Sequence, residues 1–203
     1  MSDPETLKIY DANAATYAAD NQDYSQKDPR LQRFIAACPD GGRVLDLGCG
    51  PGISAAVMAS AGLHTDAMDA SAKMVALASA QQGVTAWQAT FDALPLRNTS
   101  TGEALYDGIW ANFSLLHAPR ASFPGHLSAI KHSLKPGGVF YIALKLGKGE
   151  ARDALGRLYT YYEEDTLKDL LMTAGFSVKD CAFGKSKGLD GTMARWISVA
   201  CHG

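Results

Sequence analysis

The chain has 203 residues, of which 47% are hydrophobic and 20% are charged. This length and composition predict one large folded domain, alone or with a short appendage, and they exclude a disordered or fibrous chain. The longest apolar run, Val139 to Leu144, is too short to span a bilayer and the N-terminus lacks an export signal, so we expect a cytoplasmic protein with no membrane segment. The net charge is −2 and the basic residues do not cluster, which makes nucleic acid an unfavoured partner.

The cysteines give no sign of a metal centre. All four are scattered along the chain without a Cys-x-x-Cys pair, and no histidine lies at metal-ligand spacing from them. We therefore expect buried free thiols and predict neither a disulfide scaffold nor a metal site.

Two amphipathic helices are predicted before the first strand. Their apolar residues recur at the spacing of one helix face, at Tyr10, Ala14, Tyr17 and Ala18 and then at Leu31, Phe34, Ile35 and Cys38. Seven strands follow, bounded by turn residues. We place them at 43–47, 64–69, 84–90, 106–111, 139–145, 176–183 and 193–201.

Helices are predicted between most of these strands. One follows the first strand, one begins at the capping residue Ser71, one carries Leu127, Ile130 and Leu134, and one ends at Gly175. Since parallel neighbours need a crossover connection, this alternation predicts a parallel sheet with helices on both faces. A turn-rich segment joins the last two strands without a helix. The predicted fold is an α/β three-layer sandwich with a seven-stranded, mostly parallel sheet and an antiparallel C-terminal hairpin strand.

The strongest functional signal is the run Asp46-Leu47-Gly48-Cys49-Gly50-Pro51-Gly52, between the first strand and the next helix. Glycines at this turn let a ligand lie against bare backbone at the carboxyl end of the sheet. Asp69 ends the second strand, where a carboxylate can accept the hydroxyls of a ribose. The pair predicts a nucleoside cofactor.

The glycine spacing narrows the choice of nucleoside. The chain has neither the GxGxxG of dinucleotide sites nor the GxxxxGK[ST] of phosphate loops, because Ile53 stands where the third glycine of the dinucleotide motif would be. A nicotinamide-dependent oxidoreductase is the rival hypothesis, and the missing third glycine counts against it.

Five segments in order resemble the class I S-adenosylmethionine-dependent methyltransferases. They are VLDLGCGPG at 44–52, MDAS at 68–71, ATFDALPL at 89–96, YDGIWA at 106–111 and LKPGG at 134–138. The chain is most similar to the small stand-alone methyltransferases of metabolite and tellurite-resistance type. The resemblance implies a Rossmann-like fold, S-adenosylmethionine as cofactor and S-adenosylhomocysteine as product.

The resemblance also implies a set of cofactor contacts. The glycine-rich segment would hold the methionine portion, Asp69 the ribose, the residues after it the adenine, and the end of the fourth strand the surroundings of the sulfonium. Either Thr90 or Asp92 would meet the adenine amino group. For Met74 and Tyr17, a role in packing alone is as well supported as contact with the cofactor. The expected cofactor-binding residues are Tyr17, Asp46, Gly48, Cys49, Gly50, Asp69, Ala70, Met74, Thr90, Phe91, Asp92, Ala111, Asn112 and Phe113.

Residues 1–40 are expected to form a helical lid over the cofactor and residues 41–203 the methyltransferase domain, with Tyr24 as a second lid residue beside Tyr17. His117 is the candidate catalytic residue, as a proton acceptor or a substrate contact. The segment 145–162 carries Lys145, Arg157, Tyr159 and Tyr161, whose cations favour an acidic acceptor if the segment closes on the substrate; a solvated connector is the alternative.

The acceptor itself is expected to be a small molecule. Ala111-Asn112-Phe113-Ser114 departs from the motif with which relatives methylate planar amino groups. Two alternatives stay open. The Leu115-Leu116-His117 segment also resembles tRNA wobble-base methyltransferases, and the chain would suit a non-catalytic, cofactor-binding module.

Overall fold

The computed structural model describes residues 3–21, 27–95 and 105–203. The expected lid residue Tyr24 and the end of the ATFDALPL segment lie outside these ranges. The helices are α1 (Pro4–Asn21), α2 (Pro29–Ala37), α3 (Ile53–Ser60), α4 (Ala72–Ser79), α5 (Phe123–Ser133) and α6 (Glu164–Thr173). The strands are β1 (Arg43–Leu47), β2 (His64–Asp69), β3 (Val84–Gln88), β4 (Tyr106–Asn112), β5 (Leu134–Lys145), β6 (Glu150–Arg152), β7 (Leu158–Thr160), β8 (Ser177–Lys187) and β9 (Met193–His202).

Seven strands form one sheet in the order β3-β2-β1-β4-β5-β9-β8. β1 pairs in parallel with both β2 and β4, whereas β9 runs antiparallel to its neighbours β5 and β8. The predicted Rossmann-like sheet with its antiparallel C-terminal strand is therefore confirmed. The strand order reverses between β1 and β4, which opens a crevice at the carboxyl ends of these two strands.

Side-chain alternation along β4 shows how the two faces of the sheet are covered. Ile109 and Ala111 are fully buried in the core cluster that includes α5 and α6 residues. Trp110 points to the other face, where it packs with Phe34 of α2, the ring centroids lying 5.3 Å apart. Because alternate residues of a strand face opposite sides, a strand buried on both faces reads as one apolar run.

Several strand boundaries differ from the sequence prediction; β8, for example, runs to Lys187 rather than ending at Phe183. β3 ends at Gln88 rather than at residue 90, and Leu134 is the first residue of β5, paired with Tyr106, rather than part of α5. The residue before a proline is restricted to extended backbone, so Pro136 prevents the helix from continuing through Lys135. Leu134 follows Leu127 and Ile130 at helix spacing, but it does not belong to the helix.

The segment 145–162, expected either to close on the substrate or to be a solvated connector, contains a separate hairpin, in which β6 pairs antiparallel with β7. Asp153 in its turn accepts hydrogen bonds from the backbone N–H of Leu155, at 3.0 Å, and of Arg157, at 2.9 Å. The same carboxylate binds the Arg157 guanidinium at 2.6 Å, and the two side chains are only 4% and 2% exposed. One buried ion pair thus fixes the shape of this turn.

The two N-terminal helices have different positions. α2 is part of the core through Leu31 and Phe34. α1 lies across the crevice and is attached by polar contacts on two sides: Asp11 accepts a hydrogen bond from Ser71 at the start of α4, and Thr6 accepts one from the backbone N–H of Leu158 in β7 at 2.9 Å. In the described ranges, no helix has the length and apolarity needed to cross a membrane.

The buried ion pair in the β6–β7 turn gives a stability prediction. Asp153→Asn leaves the guanidinium of Arg157 without its counter-charge in a buried position, which typically costs about 3–5 kcal/mol. We expect a loss of that size in the free energy of unfolding, measured by urea denaturation. Lys148→Ala is the matched control, because the side chains of Lys148 and its partner Glu163 are 80% and 55% exposed and such pairs contribute about 0–1 kcal/mol. Equal losses in the two variants would contradict the prediction.

Candidate active site

A cavity of about 650 Å³ lies at the carboxyl ends of β1, β2, β4 and β5. Its floor is the glycine-rich turn after β1, and its cover includes Tyr10 and Tyr17 of α1. The turn between β8 and β9 also lines it, through Gly188 and Leu189. A volume between roughly 300 and 1,000 Å³ is usual for small-molecule and cofactor sites.

The turn after β1 has a backbone that only glycine fits at its first position. Gly48 has a φ of 73°, and a Cβ atom there would lie 2.3 Å from Cβ of Ser114. Ser114 is held in place by the hydrogen bond that its hydroxyl donates to the Leu47 carbonyl. The loops after β1 and β4 therefore approach each other more closely than any side chain at position 48 permits.

Asp69 organises the cavity floor from the end of β2. Its carboxylate accepts the backbone N–H of Gly50 at 2.9 Å and that of Ser71 at 2.8 Å. One side chain thus connects the glycine turn to the start of α4, where Ser71 caps the helix. Burial raises the pKa of Asp69, while these backbone hydrogen bonds act in the opposite direction.

Asp46 is the second carboxylate of the floor, and it is 3% exposed. Its Oδ2 atom has no hydrogen-bond partner among the described residues. Burial and the nearby charge of Asp69 raise the pKa of Asp46 to about 7. A buried carboxylate oxygen without a donor is costly, so this position suits a ligand that brings one.

Two further orphaned polar atoms lie in the same cavity wall. Nε1 of Trp110 and Oδ1 of Asn112 are buried, and neither finds a partner within the part of the chain that the structure describes. Together with Asp46 they offer one donor and two acceptors to whatever fills the cavity. An amino-acid–nucleoside cofactor carries ammonium, carboxylate and hydroxyl groups of this kind, so the residues present fit such a group.

The structure brings most of the expected cofactor residues together. Eleven of the fourteen line the cavity: Tyr17, Asp46, Gly48, Cys49, Gly50, Asp69, Ala70, Met74, Phe91, Asn112 and Phe113. Thr90, Asp92 and Ala111 do not line it. Asp92 is exposed in the short 3-10 turn Phe91–Ala93, which directs only Phe91 inward. Ala111 points to the opposite face of β4 from the cavity-lining Trp110 and Asn112, because neighbouring side chains of a strand alternate.

His117 lines the cavity with both ring nitrogens engaged. Nδ1 lies 2.6 Å from the Leu158 carbonyl, which can only accept, so Nδ1 carries the proton. Nε2 then accepts from the hydroxyl of Tyr10 at 2.8 Å. Burial lowers the pKa of His117 to about 4, and the positive charges of Arg157 and Lys145 act in the same direction. The imidazole is therefore neutral at pH 7.

Arg157 continues this chain of contacts. Its Nη1 donates to the Tyr10 hydroxyl at 2.9 Å, while the rest of the guanidinium binds Asp153. Of the four side chains that the sequence placed toward the cleft from residues 145–162, Lys145, Arg157 and Tyr159 line the cavity, and Tyr161 stacks on Tyr159 outside the lining.

Several lining residues are not predicted by the sequence patterns. Tyr10 was assigned only to a helix face, and the β8–β9 turn only to a hairpin, although both line the cavity. These residues reach the cavity through contacts between distant parts of the chain, such as the one between Tyr10 and His117, which are 107 residues apart in sequence. Trp110 could have been predicted to line the cavity, since it lies two residues before the expected cofactor residue Asn112 and therefore on the same face of β4.

Comparison with known proteins identifies the class. A family model described as a methyltransferase domain matches residues 17–180. This match spans most of the chain, so the protein belongs to that methyltransferase family.

Individual relatives are more distant. Malonyl-[acyl-carrier protein] O-methyltransferase of Enterobacter lignolyticus is 35% identical over 98 residues, which are 48% of this chain and 36% of that protein. The matched region thus spans only about a third of the relative's length.

Two solved structures share the fold. The 1,6-didemethyltoxoflavin-N1-methyltransferase of Burkholderia thailandensis, with bound 1,6-didemethyltoxoflavin and S-adenosylhomocysteine, has a TM-score of 0.70 and 22% identity, covering 100% of this chain and 91% of its own. The phosphoethanolamine N-methyltransferase 2 of Haemonchus contortus, in complex with phosphomonomethylethanolamine and S-adenosylhomocysteine, has a TM-score of 0.72 and 16% identity, covering 95% and 57%. At these identities the likeness establishes the fold alone.

The contacts of His117 predict an unusual titration. We expect histidine-ring NMR spectra to show His117 neutral, with the Nδ1 tautomer, down to about pH 4. Tyr10→Phe removes the hydroxyl that donates to Nε2, a bond made only by the neutral ring, so the pKa of His117 should rise in this variant. A wild-type His117 that titrates near 6.5, the ordinary value for histidine, would contradict the assigned hydrogen bonds.

Proposed function

We propose that this protein transfers a methyl group from S-adenosylmethionine to a small organic acceptor bound in the same cavity. The observation that carries the proposal is the cavity itself, which is lined by eleven of the expected cofactor residues and also by residues of β5, β7 and the β8–β9 turn that are not in that set. The two solved relatives described above were crystallised with small-molecule acceptors or products beside S-adenosylhomocysteine, which supports the same acceptor class.

The cofactor would lie along the β1–β2 side. Asp69 would accept the ribose hydroxyls, the unpartnered Oδ2 of Asp46 would accept the ammonium of the methionine portion, and Met74 and Phe91 would pack beside the adenine. When bound, S-adenosylmethionine supplies a methyl group on a sulfonium that is already activated for displacement. The protein's part is then to position the acceptor and keep water out.

The acceptor would lie on the β4–β5 side. Phe113, Lys145 and Tyr159 line that part, and the helix α1 with its hydroxyl of Tyr10 closes it. We propose α1 as the lid, since it covers the cavity, whereas α2 is packed in the core. Nε2 of His117 accepts the hydrogen bond of the Tyr10 hydroxyl, and it could take a proton from an acceptor only after that hydrogen bond breaks. The role of His117 in this site would therefore be to hold the Tyr10 hydroxyl in place.

Calorimetric titration with S-adenosylhomocysteine tests the cofactor assignment, with NADH as the comparison. We expect micromolar binding of the sulfur nucleoside and none of NADH. Asp69→Ala removes hydrogen bonds to a charged acceptor, each contributing roughly 1.5–3 kcal/mol, so the affinity should fall at least about tenfold.

Asp169→Ala, an exposed aspartate on α6, is the matched control and should bind as the wild type does. Circular dichroism of both variants checks that the fold is retained. Tight NADH binding, or wild-type affinity in Asp69→Ala, would show that the cofactor assignment is wrong. Binding without methyl transfer to any acceptor would favour the non-catalytic module.

The raised pKa of Asp46 predicts pH-dependent binding. In the free protein this pKa is about 7, so the carboxyl is mostly protonated at pH 6 and ionised at pH 8. An ammonium group binds the ionised form, and the affinity for S-adenosylhomocysteine should therefore fall about tenfold between pH 8 and pH 6. Calorimetry across this range measures it. Asp46→Asn should bind more weakly and without this pH dependence; the same slope in that variant would exclude Asp46 as its source.

A further inference from the structure

Lys145 stands at the carboxyl end of β5, opposite Trp196 in the neighbouring strand β9. Its side chain lines the cavity, and Nζ lies 3.9 Å from the ring centroid of Tyr159. The ring face attracts the ammonium and fixes where the charge is presented. A positive charge is thus built into the acceptor side of the site.

Among the described residues, two other cations line the cavity: Lys187, which is exposed at the end of β8, and Arg157, whose electrostatic state differs from that of Lys145. Arg157 is neutralised by its buried pair with Asp153. Lys145 forms no salt bridge with any carboxylate of the described residues.

Burial lowers the pKa of Lys145, while the charges of Asp190 in the β8–β9 turn and of Asp153 favour its charged form. Oδ1 of Asp190 accepts the backbone N–H of Thr192. The ammonium of Lys145 is therefore available to an anion, which would share it with the longer-range field of Asp190.

The walls around this ammonium are aromatic. Phe113 and Trp196 meet edge to face with centroids 6.1 Å apart, and both line the cavity with Tyr159. Phe113 has a φ of 55°, an unfavourable backbone conformation for a residue with a side chain. Strain of this kind persists where the surrounding structure enforces a position, and it concentrates at functional sites. The subsite thus places the ammonium of Lys145 beside flat aromatic walls.

The neighbouring groups also limit the proton chemistry. His117, the titratable ring nearest to Tyr159, is neutral with both nitrogens engaged, and a group that titrates near pH 4 is a weak base at pH 7. An acceptor whose attacking atom is already anionic, such as an oxygen of a carboxylate, needs no base: that oxygen forms the new O–CH3 bond as the S–CH3 bond of the sulfonium breaks, and S-adenosylhomocysteine leaves. The weak base and the free ammonium therefore favour the same kind of acceptor.

We propose that Lys145 is the anion-binding residue of the acceptor subsite and that the acceptor is a flat organic anion, an aromatic carboxylate in chemical class. Its ring packs between Phe113, Tyr159 and Trp196, and its carboxylate binds the Nζ ammonium of Lys145. This assignment rests on the proposed function, since it names the acceptor of the same site.

Binding to the protein saturated with S-adenosylhomocysteine tests the proposal without requiring turnover. The probes are benzoate, salicylate and 4-hydroxybenzoate, each compared with its carboxamide by saturation-transfer NMR and calorimetry. A hydrogen bond between charged groups corresponds to roughly tenfold or more in affinity, so the carboxylates should bind at least about tenfold more tightly than the carboxamides. Lys145→Met should abolish this preference, and Lys145→Arg should retain most of it.

Lys185→Met is the matched control, because Lys185 is an exposed lysine of β8 outside the cavity lining. It removes the same charge and should leave the preference intact. Equal binding of carboxylates and carboxamides, an undiminished preference in Lys145→Met, or no carboxylate binding at millimolar concentration would overturn the proposal. S-adenosylhomocysteine affinity is measured first in each variant, so a failure of the cofactor assignment is seen separately from a failure of the anion subsite.

Discussion

The acceptor side of the cavity depends on the buried ion pair between Asp153 and Arg157. The pair shapes the β6–β7 turn, and the charge of Arg157 then reaches the hydroxyl of Tyr10, 147 residues away in sequence, at 2.9 Å. Through that hydroxyl it orients the neutral ring of His117. A hydrogen-bonded chain of this kind is satisfied only when every member is in place. Three separate parts of the chain thus share one polar network, and the helix over the cavity is held by it.

The cavity has opposite charges at its two ends. Asp46 and Asp69 lie together on the floor, close enough that the charge of Asp69 contributes to raising the pKa of Asp46. Lys145 and Arg157 lie beyond β4. A cationic group is therefore favoured at one end and an anionic group at the other. Two ligands with these charges would enter the same cavity without competing for the same side chains, and the field between the ends orients them relative to each other.

The sheet and the cofactor side could be predicted from sequence because they depend on local patterns. Buried strands appear in the sequence as apolar runs. The turn at Gly48 has a positive φ and no room for a Cβ atom, so it requires a glycine, and that glycine is visible in the sequence. The acceptor side depends on contacts between distant residues, which have no periodicity. The β6–β7 hairpin has strands of three residues each, too short for an alternating pattern to be recognised. Ala111 shows a further limit of sequence-based prediction. The motif places this residue at the end of the strand, but the alternation of side chains along the strand decides whether it faces the cavity or the opposite side of the sheet.

The division between backbone and side chains has a consequence for how this protein can change over evolutionary time. The floor on which we propose that the cofactor binds is made largely of main-chain groups in the glycine turn, which tolerate little substitution because a Cβ at position 48 would lie 2.3 Å from Ser114. The opposite wall includes side chains from α1 and the β6–β7 hairpin, which take no part in the pairing of the main sheet, and from the β8–β9 turn, beside Lys145 and Trp196 of the sheet itself. Mutations there alter what the cavity accepts while the cofactor floor is preserved. Divergence in such a lineage is therefore expected to change the acceptor long before it changes the donor.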